Sequence, residues 1–422
     1  MNGTRLKAIL GGSAGNLVEW YDFYAYAALT LYFAPEFFPK SDPTAQLLSA
    51  AAIYAVGFLM RPIGAYVMGV YGDRHGRKAG LALSVGLMFA GSLLIAVAPT
   101  YRQAGALAPA LLLVARLLQG LSVGGEYGTS ATYLSEMASA EHRGFWSSFQ
   151  YVTLIGGQLG ALGVVLVLQA VLDEAALQAW GWRVPFAIGA GLALVVYLLR
   201  RRLAETASFE AMSVEERRQS GALRLLNEHP RAFWLVAIIS AGGGLGFYAY
   251  TTYMQKFLVN TAGFDRATAT RVMTAALFLY MCAQPVFGAV SDRVGRRPML
   301  LLFGIGGALA SVPAFTALAE VRSPAAAFAI VVCLLLLLSG YTAISALVKA
   351  ELFPASIRTL GVALPYALGN ALFGGTAEFV ALWFKRAGAE AAFFWYVAAA
   401  LAVTSVAFWM LPETKRTSLI AD

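Results

Sequence analysis

Apolar stretches recur along the chain, separated by short polar connections. A run of about 20 apolar residues suffices to cross a bilayer as a helix. Runs of that kind fall near residues 9–33, 47–71, 80–100, 107–135, 146–171, 184–203, 232–257, 268–290, 298–318, 324–349, 358–384 and 391–411. The pattern predicts an all-α membrane protein of twelve spans. The long polar connection, 204–231, carries Glu215, Glu216, Arg217 and Arg218 and divides the chain into two sets of six. The expected domains are an N-terminal half, 1–203, a cytoplasmic linker, 204–231, and a C-terminal half, 232–422.

Composition agrees with this reading. Of 422 residues, 59% are hydrophobic and 13% charged, about half the charged share of a soluble domain, and mean hydropathy is +0.67. A net charge of +8 would suit a nucleic-acid partner. The basic residues, however, sit in short loops between apolar runs, so the expected partner is the lipid bilayer, with no nucleic acid. Nineteen Lys and Arg fall on one side, among them Arg5, Lys7, Arg77, Arg143, Arg200, Arg201, Arg202, Arg296 and Arg358. Seven fall on the other, including Lys40, Arg183 and Arg266. The excess predicts a cytoplasmic location for both termini and the linker. Arg5 and Lys7 ahead of an apolar stretch mimic a signal peptide, but the stretch runs on to about Phe38 and includes Glu19 and Asp22. A retained first helix is expected instead.

Cys282 and Cys333 both lie inside apolar runs and read as buried thiols, which excludes a disulfide framework. His75, His142 and His229 fall in polar connections without partners at metal-ligand spacing, so neither metal nor cofactor is expected. The glycine clusters in spans 4, 5 and 7 lack a preceding strand or a Gly-Lys-Ser/Thr ending, so they read as close helix packing rather than phosphate loops.

The two halves repeat. Gly69-Val-Tyr-Gly-Asp73-Arg-His-Gly76-Arg77-Lys78 after span 2 matches Gly288-Ala-Val-Ser-Asp292-Arg-Val-Gly295-Arg296-Arg297 after span 8. Glu136 and Arg143 match Glu351 and Arg358, and Leu203-Ala-Glu205-Thr206 matches Leu411-Pro-Glu413-Thr414. Two parallel six-helix repeats follow. The paired loop resembles that of the major facilitator superfamily. Gly15-Asn-Leu-Val-Glu19-Trp20-Tyr21-Asp22-Phe23, Arg61-Pro-Ile-Gly64 and Arg116-Leu-Leu-Gln-Gly-Leu-Ser-Val-Gly-Gly-Glu126 narrow the resemblance to its metabolite:proton symporter branch. That branch includes proline/betaine, citrate and dicarboxylate carriers. Longer segments, Glu126 to Tyr133, Phe149 to Gln158, Thr251 to Lys256, Lys349 to Pro354 and Phe393 to Tyr396, are similar to its α-ketoglutarate carriers.

A charge at mid-bilayer costs about 2.5–3.5 kcal/mol or more, so such residues face a cavity or a partner. Glu19, Asp22, Arg61, Arg116 and Glu126 are the mid-span charges. Glu19 and Asp22, three apart, share a helix face. Arg116 and Glu126 lie roughly 80° apart around the axis and about 15 Å apart along it, a placement in which both edge one cavity. The resemblance brings spans 1 and 4 to a central pathway and implies a dicarboxylate substrate, with Arg61 and Arg116 as its cations. Lys256 and Lys349 are further candidate cations, Lys256 near the outer end of span 7 and Lys349 at the inner end of span 10, within reach of Glu351. Gln150, Tyr151, Gln158, Tyr250 and Tyr253 are candidate neutral hydrogen-bonding groups. Glu19, Asp22 and Glu126 are the candidate proton carriers, the first two also able to pair Arg61. The resemblance further implies a cytoplasmic gate of Asp73, Arg77, Glu136, Arg143, Asp292, Arg296, Glu351 and Arg358, read here as individually weak pairs at wet helix ends.

The expected function is proton-coupled import of α-ketoglutarate across a bacterial inner membrane by a monomer. A symporter for citrate, another dicarboxylate, or proline or betaine is the alternative. A membrane enzyme or receptor would need a nucleophile–base set, a metal cluster or a large soluble domain, and the sequence offers none of these.

Overall fold

The computed structural model describes residues 3–38, 43–218 and 221–420. Twelve long helices carry the fold: α1 (Gly3–Phe37), α2 (Pro43–His75), α3 (Arg77–Val97), α4 (Leu107–Met137), α5 (Phe149–Val171) and α6 (Arg183–Arg200), then α7 (Pro230–Tyr250), α8 (Arg266–Val294), α9 (Arg296–Glu320), α10 (Pro324–Thr342), α11 (Arg358–Gly369) and α12 (Glu390–Met410). Among the described residues, nine helical segments are long and apolar enough by composition to cross a membrane. The helical runs of α1, of α2, and of α11 with its continuation complete the twelve. No strand occurs among the described residues.

Local chemistry sets the helix ends. The Asp265 side chain accepts from Thr268 N at 2.9 Å to cap α8. Ser323 caps α10 ahead of Pro324, whose missing N–H costs nothing at the first position. Gly76 and Gly295 lie between α2 and α3 and between α8 and α9 at φ 108° and 103°, a region open to glycine. The repeated Glu205 and Glu413 occupy the matching place in each half. Glu205 accepts from the Arg77 and Lys78 amides at 3.1 and 3.2 Å. Glu413 accepts from those of Arg296 and Arg297 at 2.7 and 3.1 Å. Each carboxylate thus caps the helix that follows the loop. Burial pushes the Glu205 carboxyl above its usual range, against the pull of those amides and of Arg77.

Four predicted spans are not single helices. Span 7 breaks at Thr251 and resumes as Thr252–Asn260, and span 10 breaks after Thr342 and resumes as Ser345–Glu351. Span 11 passes through a widened turn, Asn370–Gly374, into Ala377–Arg386, and span 5 is preceded by a separate short helix, Arg143–Ser147. Hydropathy does not register such breaks, because the residues around them stay apolar. Cys282 and Cys333 are exposed rather than buried; on an apolar span that face meets lipid. Of the residues in the charge count, Lys40 lies outside the described residues, as do the side chains of Arg5, Lys7 and Arg266.

Within the first half, α2 and α4 meet along a glycine seam. A Cβ on Gly64 would lie 2.2 Å from the Leu121 carbonyl, and one on Gly124 would lie 2.1 Å from that of Arg61. Small residues let these backbones touch, as membrane helices without a hydrophobic drive between them require. Between the halves, α2 packs on α11, and α8 packs on α5 and on the helix before it. These pairs bring Arg61 and the α4 charges to the middle of the molecule.

Candidate functional site

Three small adjoining cavities lie at the centre. The first is lined by Glu19, Asp22, Arg61, Arg116 and Gln119, and the second by Glu19, Trp20, Arg61, Tyr127, Tyr366 and Asn370. The third lies between Trp20, Tyr151, Leu154, Phe247, Tyr248 and Tyr341. Each has room for about one water molecule, so the state is closed around its centre.

Arg61 lines the second cavity, and Lys349 lies against Tyr127 and Tyr366, two of its lining residues. Arg61 is 4% exposed. Its guanidinium lies 3.9 Å from the Phe58 ring centre and 4.8 Å from that of Phe23, and it donates to the Tyr248 hydroxyl at 3.2 Å. Among the described residues no carboxylate is within ion-pair distance of it, so the expected pairing with Glu19 or Asp22 is not formed. Lys349, from the second half, is fully buried. It donates to the hydroxyls of Tyr127 at 2.9 Å and Tyr341 at 3.2 Å, and sits 4.4 Å from the Tyr366 ring centre. This corrects the expectation of an inner-end lysine paired with Glu351. Glu351 instead lies 3.9 Å from Arg296 and accepts from Thr414. The break after Thr342 carries Lys349 into the aromatic centre.

The mid-span carboxylates fall into two clusters. Asp22 accepts from Ser92, and from Gln119 at 3.4 Å. Gln119 in turn accepts from Arg116 at 2.6 Å. Glu19 accepts from Ser122 at 2.5 Å and Ser84 at 3.3 Å. Glu126 does not edge a cavity with Arg116. It forms a buried ion pair with Arg200 and accepts from Ser84 at 2.8 Å. Arg200 was counted with the cytoplasmic arginines. It is fully buried, its guanidinium reaching the Leu81 carbonyl at 2.8 Å. The run Arg200-Arg201-Arg202 hides it in sequence; its place as the first residue of the run, in the last turn of a span, was the available signal.

The remaining candidates separate. Tyr151 lines the third cavity. Gln158, two turns further along α5, is buried, and neither of its amide atoms has a hydrogen-bond partner among the described residues. Gln150 is taken up by Ser130 at 2.6 Å within the first half. Tyr250 bonds Ser311 at 2.6 Å and Tyr253 packs on Phe393, so both belong to the core of the second half. Lys256 is half-exposed and pairs with Glu378. The aromatic liners Trp20, Tyr127, Tyr248, Tyr341 and Tyr366 were not singled out, because a lone aromatic in an apolar run is indistinguishable from packing. Asn370 was detectable as an amide in mid-span.

The face that carries the paired loops is closed by reciprocal contacts between the halves. Asp73 accepts from the amides of Thr359 and Leu360 at the start of α11, both at 3.1 Å. Asp292 accepts from those of Gly144 and Phe145 at 2.8 and 2.9 Å. Arg77 lies 3.2 Å from Asp73 and 3.4 Å from Glu136, and donates to the Ala355 carbonyl at 2.5 Å. Glu136 is 2.5 Å from Arg358, and Asp292 is 2.8 Å from Arg296. Arg143 is buried beside these groups. The sequence reading of wet, weak pairs is corrected here: packing of one half on the other excludes water from all of them.

Two matched helical halves, closed at one face and holding charges at mid-membrane depth, define a secondary transporter of the parallel-repeat kind. The chain belongs to the sugar (and other) transporter family of the major facilitator superfamily, whose model matches residues 8–227 and 205–421. It is 56% identical to the alpha-ketoglutarate permease of Escherichia coli K12, over 93% of this chain and 90% of that one. It is 35% identical to the citrate-proton symporter of Klebsiella pneumoniae, over 88% and 84%. It is 31% identical to the proline/betaine transporter of Escherichia coli K12, over 90% and 78%. Its fold matches the proton:xylose symporter XylE bound to 6-bromo-6-deoxy-D-glucose with a TM-score of 0.82 at 18% identity, covering 99% and 98% of the two chains.

Proposed function

We propose that this protein imports α-ketoglutarate with protons across the bacterial cytoplasmic membrane by alternating access. The observation that carries the reading is the pair Arg61 and Lys349. One cation comes from each half, each is buried, and neither has a carboxylate within ion-pair distance among the described residues. Tyr127 and Tyr366 touch Lys349 and line the same cavity as Arg61. A dicarboxylate held between them gives each cation a counter-charge and joins the halves through the substrate. The arginine offers its planar fork to one carboxylate, and the lysine meets the other as a point charge. The relatives named for α-ketoglutarate and citrate support a carboxylate substrate.

Asp22, Glu19 and Glu126 are the proposed proton carriers, and Arg116, through Gln119, positions Asp22. Moving a dianion inward against the membrane potential costs about 2.3 kcal/mol per charge per 100 mV; one proton halves that cost and two abolish it. The cytoplasmic contacts of Asp73, Arg77, Glu136, Asp292, Arg296 and Arg358 form the proposed gate, with Arg143 and Glu351 beside them. Both halves move as units joined by the 204–231 linker. The protein works as a monomer in the lipid bilayer with both termini in the cytoplasm.

Uptake of labelled α-ketoglutarate into vesicles, with and without an inward proton gradient, tests the reading. Gradient-driven accumulation that Arg61→Ala abolishes is expected. No uptake under any gradient, or normal transport by Arg61→Ala, would refute it.

A further inference from the structure

Two serines stand outside the substrate cavities and inside the charge clusters. Ser84 on α3 lies 2.8 Å from Glu126 Oε2, 3.3 Å from Glu19 Oε1 and 3.3 Å from the Ser122 hydroxyl. Ser122 on α4 lies 2.5 Å from the same Glu19 oxygen. Glu19, Ser84, Ser122 and Glu126 are all buried. They form an unbroken hydrogen-bonded line between two carboxylates on different helices. Only Glu19, at its upper end, borders the central cavities. The line leaves the interface between the halves and runs into the interior of the first half.

The charges around it are Asp22 on α1, Arg61 on α2, Arg116 on α4 and Arg200 on α6. Arg200 makes a buried ion pair with Glu126. The hydrogen bonds to Glu19 come from hydroxyls. A buried carboxylate served only by hydroxyls is a place where a transported proton is stabilising.

We propose that Ser84 and Ser122 relay the coupled proton from Glu19 to Glu126 within the first half, apart from the substrate's path. The inference rests on the proton-coupled reading above. In the step, the Glu19 carboxylic O–H bond breaks and its proton passes to the Ser84 oxygen. The Ser84 hydroxyl proton moves at the same time to the Glu126 carboxylate. Glu19 is left as a carboxylate, Glu126 as an acid and Ser84 neutral, with no net change but one proton moved. Ser122 offers the same transfer through its contact with Ser84.

The destination couples the proton to shape. Arg200 is the last residue of α6 and holds Glu126, the Leu81 carbonyl and the face of Gly15 together. A Cβ on Gly15 would lie 2.2 Å from its guanidinium. Protonation of Glu126 removes the charge that Arg200 grips and loosens α6 from α1, α3 and α4 at their cytoplasmic ends.

The test uses the purified full chain in proteoliposomes loaded with a pH-sensitive dye. The substrate is whichever of α-ketoglutarate, citrate and succinate the wild type exchanges in counterflow, a mode that needs no net proton movement. In Ser84→Ala/Ser122→Ala, counterflow stays near the wild-type rate while substrate-driven proton influx slows at least about tenfold. Ser84→Thr/Ser122→Thr, which keeps both hydroxyls, recovers the influx. Influx at the wild-type rate without the hydroxyls overturns the relay. So does parallel loss of counterflow and influx in the alanine and threonine variants, which marks a packing role. Wild-type exchange of citrate but not α-ketoglutarate defeats the substrate reading alone, and exchange with no proton influx in any mode defeats both.

Discussion

Replacing Glu136 with Gln removes one negative charge from the closed face, the proposed cytoplasmic gate. Glu136 is fully buried, 2.5 Å from Arg358 of the other half and 3.4 Å from Arg77 of its own. Removing one partner of a buried ion pair costs about 3–5 kcal/mol, because the remaining charge stays desolvated. Here two arginines are left. In a state open at this face the same groups are hydrated, where such pairs are worth at most about 1 kcal/mol. The difference disfavours the closed state by about 2–4 kcal/mol, roughly 30- to 1,000-fold in the equilibrium constant. Spin labels at His75 and Arg293, both exposed at the C-terminal ends of α2 and α8, report the separation of the halves once Cys282 and Cys333 are changed to Ser. Glu136→Gln should turn a minor wide-separation population into the major one. Glu136→Gln/Arg358→Gln should recover part of the closed population, since the second change removes a stranded charge. An unchanged distance distribution in Glu136→Gln would refute the claim that these contacts hold the face shut.

Three further outcomes follow from the geometry. Lys349→Gln should raise the KM for α-ketoglutarate at least about thirtyfold, the lower end of the 2–5 kcal/mol cost of truncating a buried charge partner; an unchanged KM in uptake assays removes Lys349 from the site. Gly64→Val should cost at least about 1–3 kcal/mol of overpacking, seen as a lower Tm in detergent, because its Cβ would lie 2.2 Å from the Leu121 carbonyl; an unchanged Tm would show that the α2–α4 seam is not close-packed. Lys256→Ala should leave uptake near the wild-type rate and cost at most about 1 kcal/mol of stability, since its pair with Glu378 is half-exposed; loss of substrate binding would place Lys256 at the site after all.

The architecture was legible because the bilayer imposes it. Backbone groups in lipid must bond within a segment, so spans announce themselves as apolar runs, and positive loops repeat at the same places in both halves. The candidate site was legible where charge is costly: Arg61, Arg116, Glu19, Asp22 and Glu126 stand out against apolar neighbours. Partner choice was not legible. Glu126 is ten residues from Arg116 on one helix, yet its counter-ion, Arg200, comes from α6. Serines were invisible for the same reason, since a hydroxyl in a span costs little and signals little. The paired loop charges were found by repetition, but their burial was not, because it depends on two halves meeting.

Lys349 shows how depth and sequence position come apart, and it changes the balance between the halves. Counting residues along an unbroken helix puts it near the membrane face and leaves the second half without a central charge. The break at 343–344 carries it in among Tyr127, Tyr341 and Tyr366, of which Tyr127 and Tyr366 line the second cavity. The distinction matters for transport. A dianion bound by cations of one half alone would gain nothing from closure of the other, and closing would only strip water from a charge. With one cation on each side, desolvation of the substrate and approach of the two halves favour each other. The mid-span carboxylates remain confined to the first half, on α1 and α4. In the proposed mechanism substrate binding is therefore shared between the halves, whereas the proton path is not, and the proton can bias the first half's helix packing without occupying the site that joins the two.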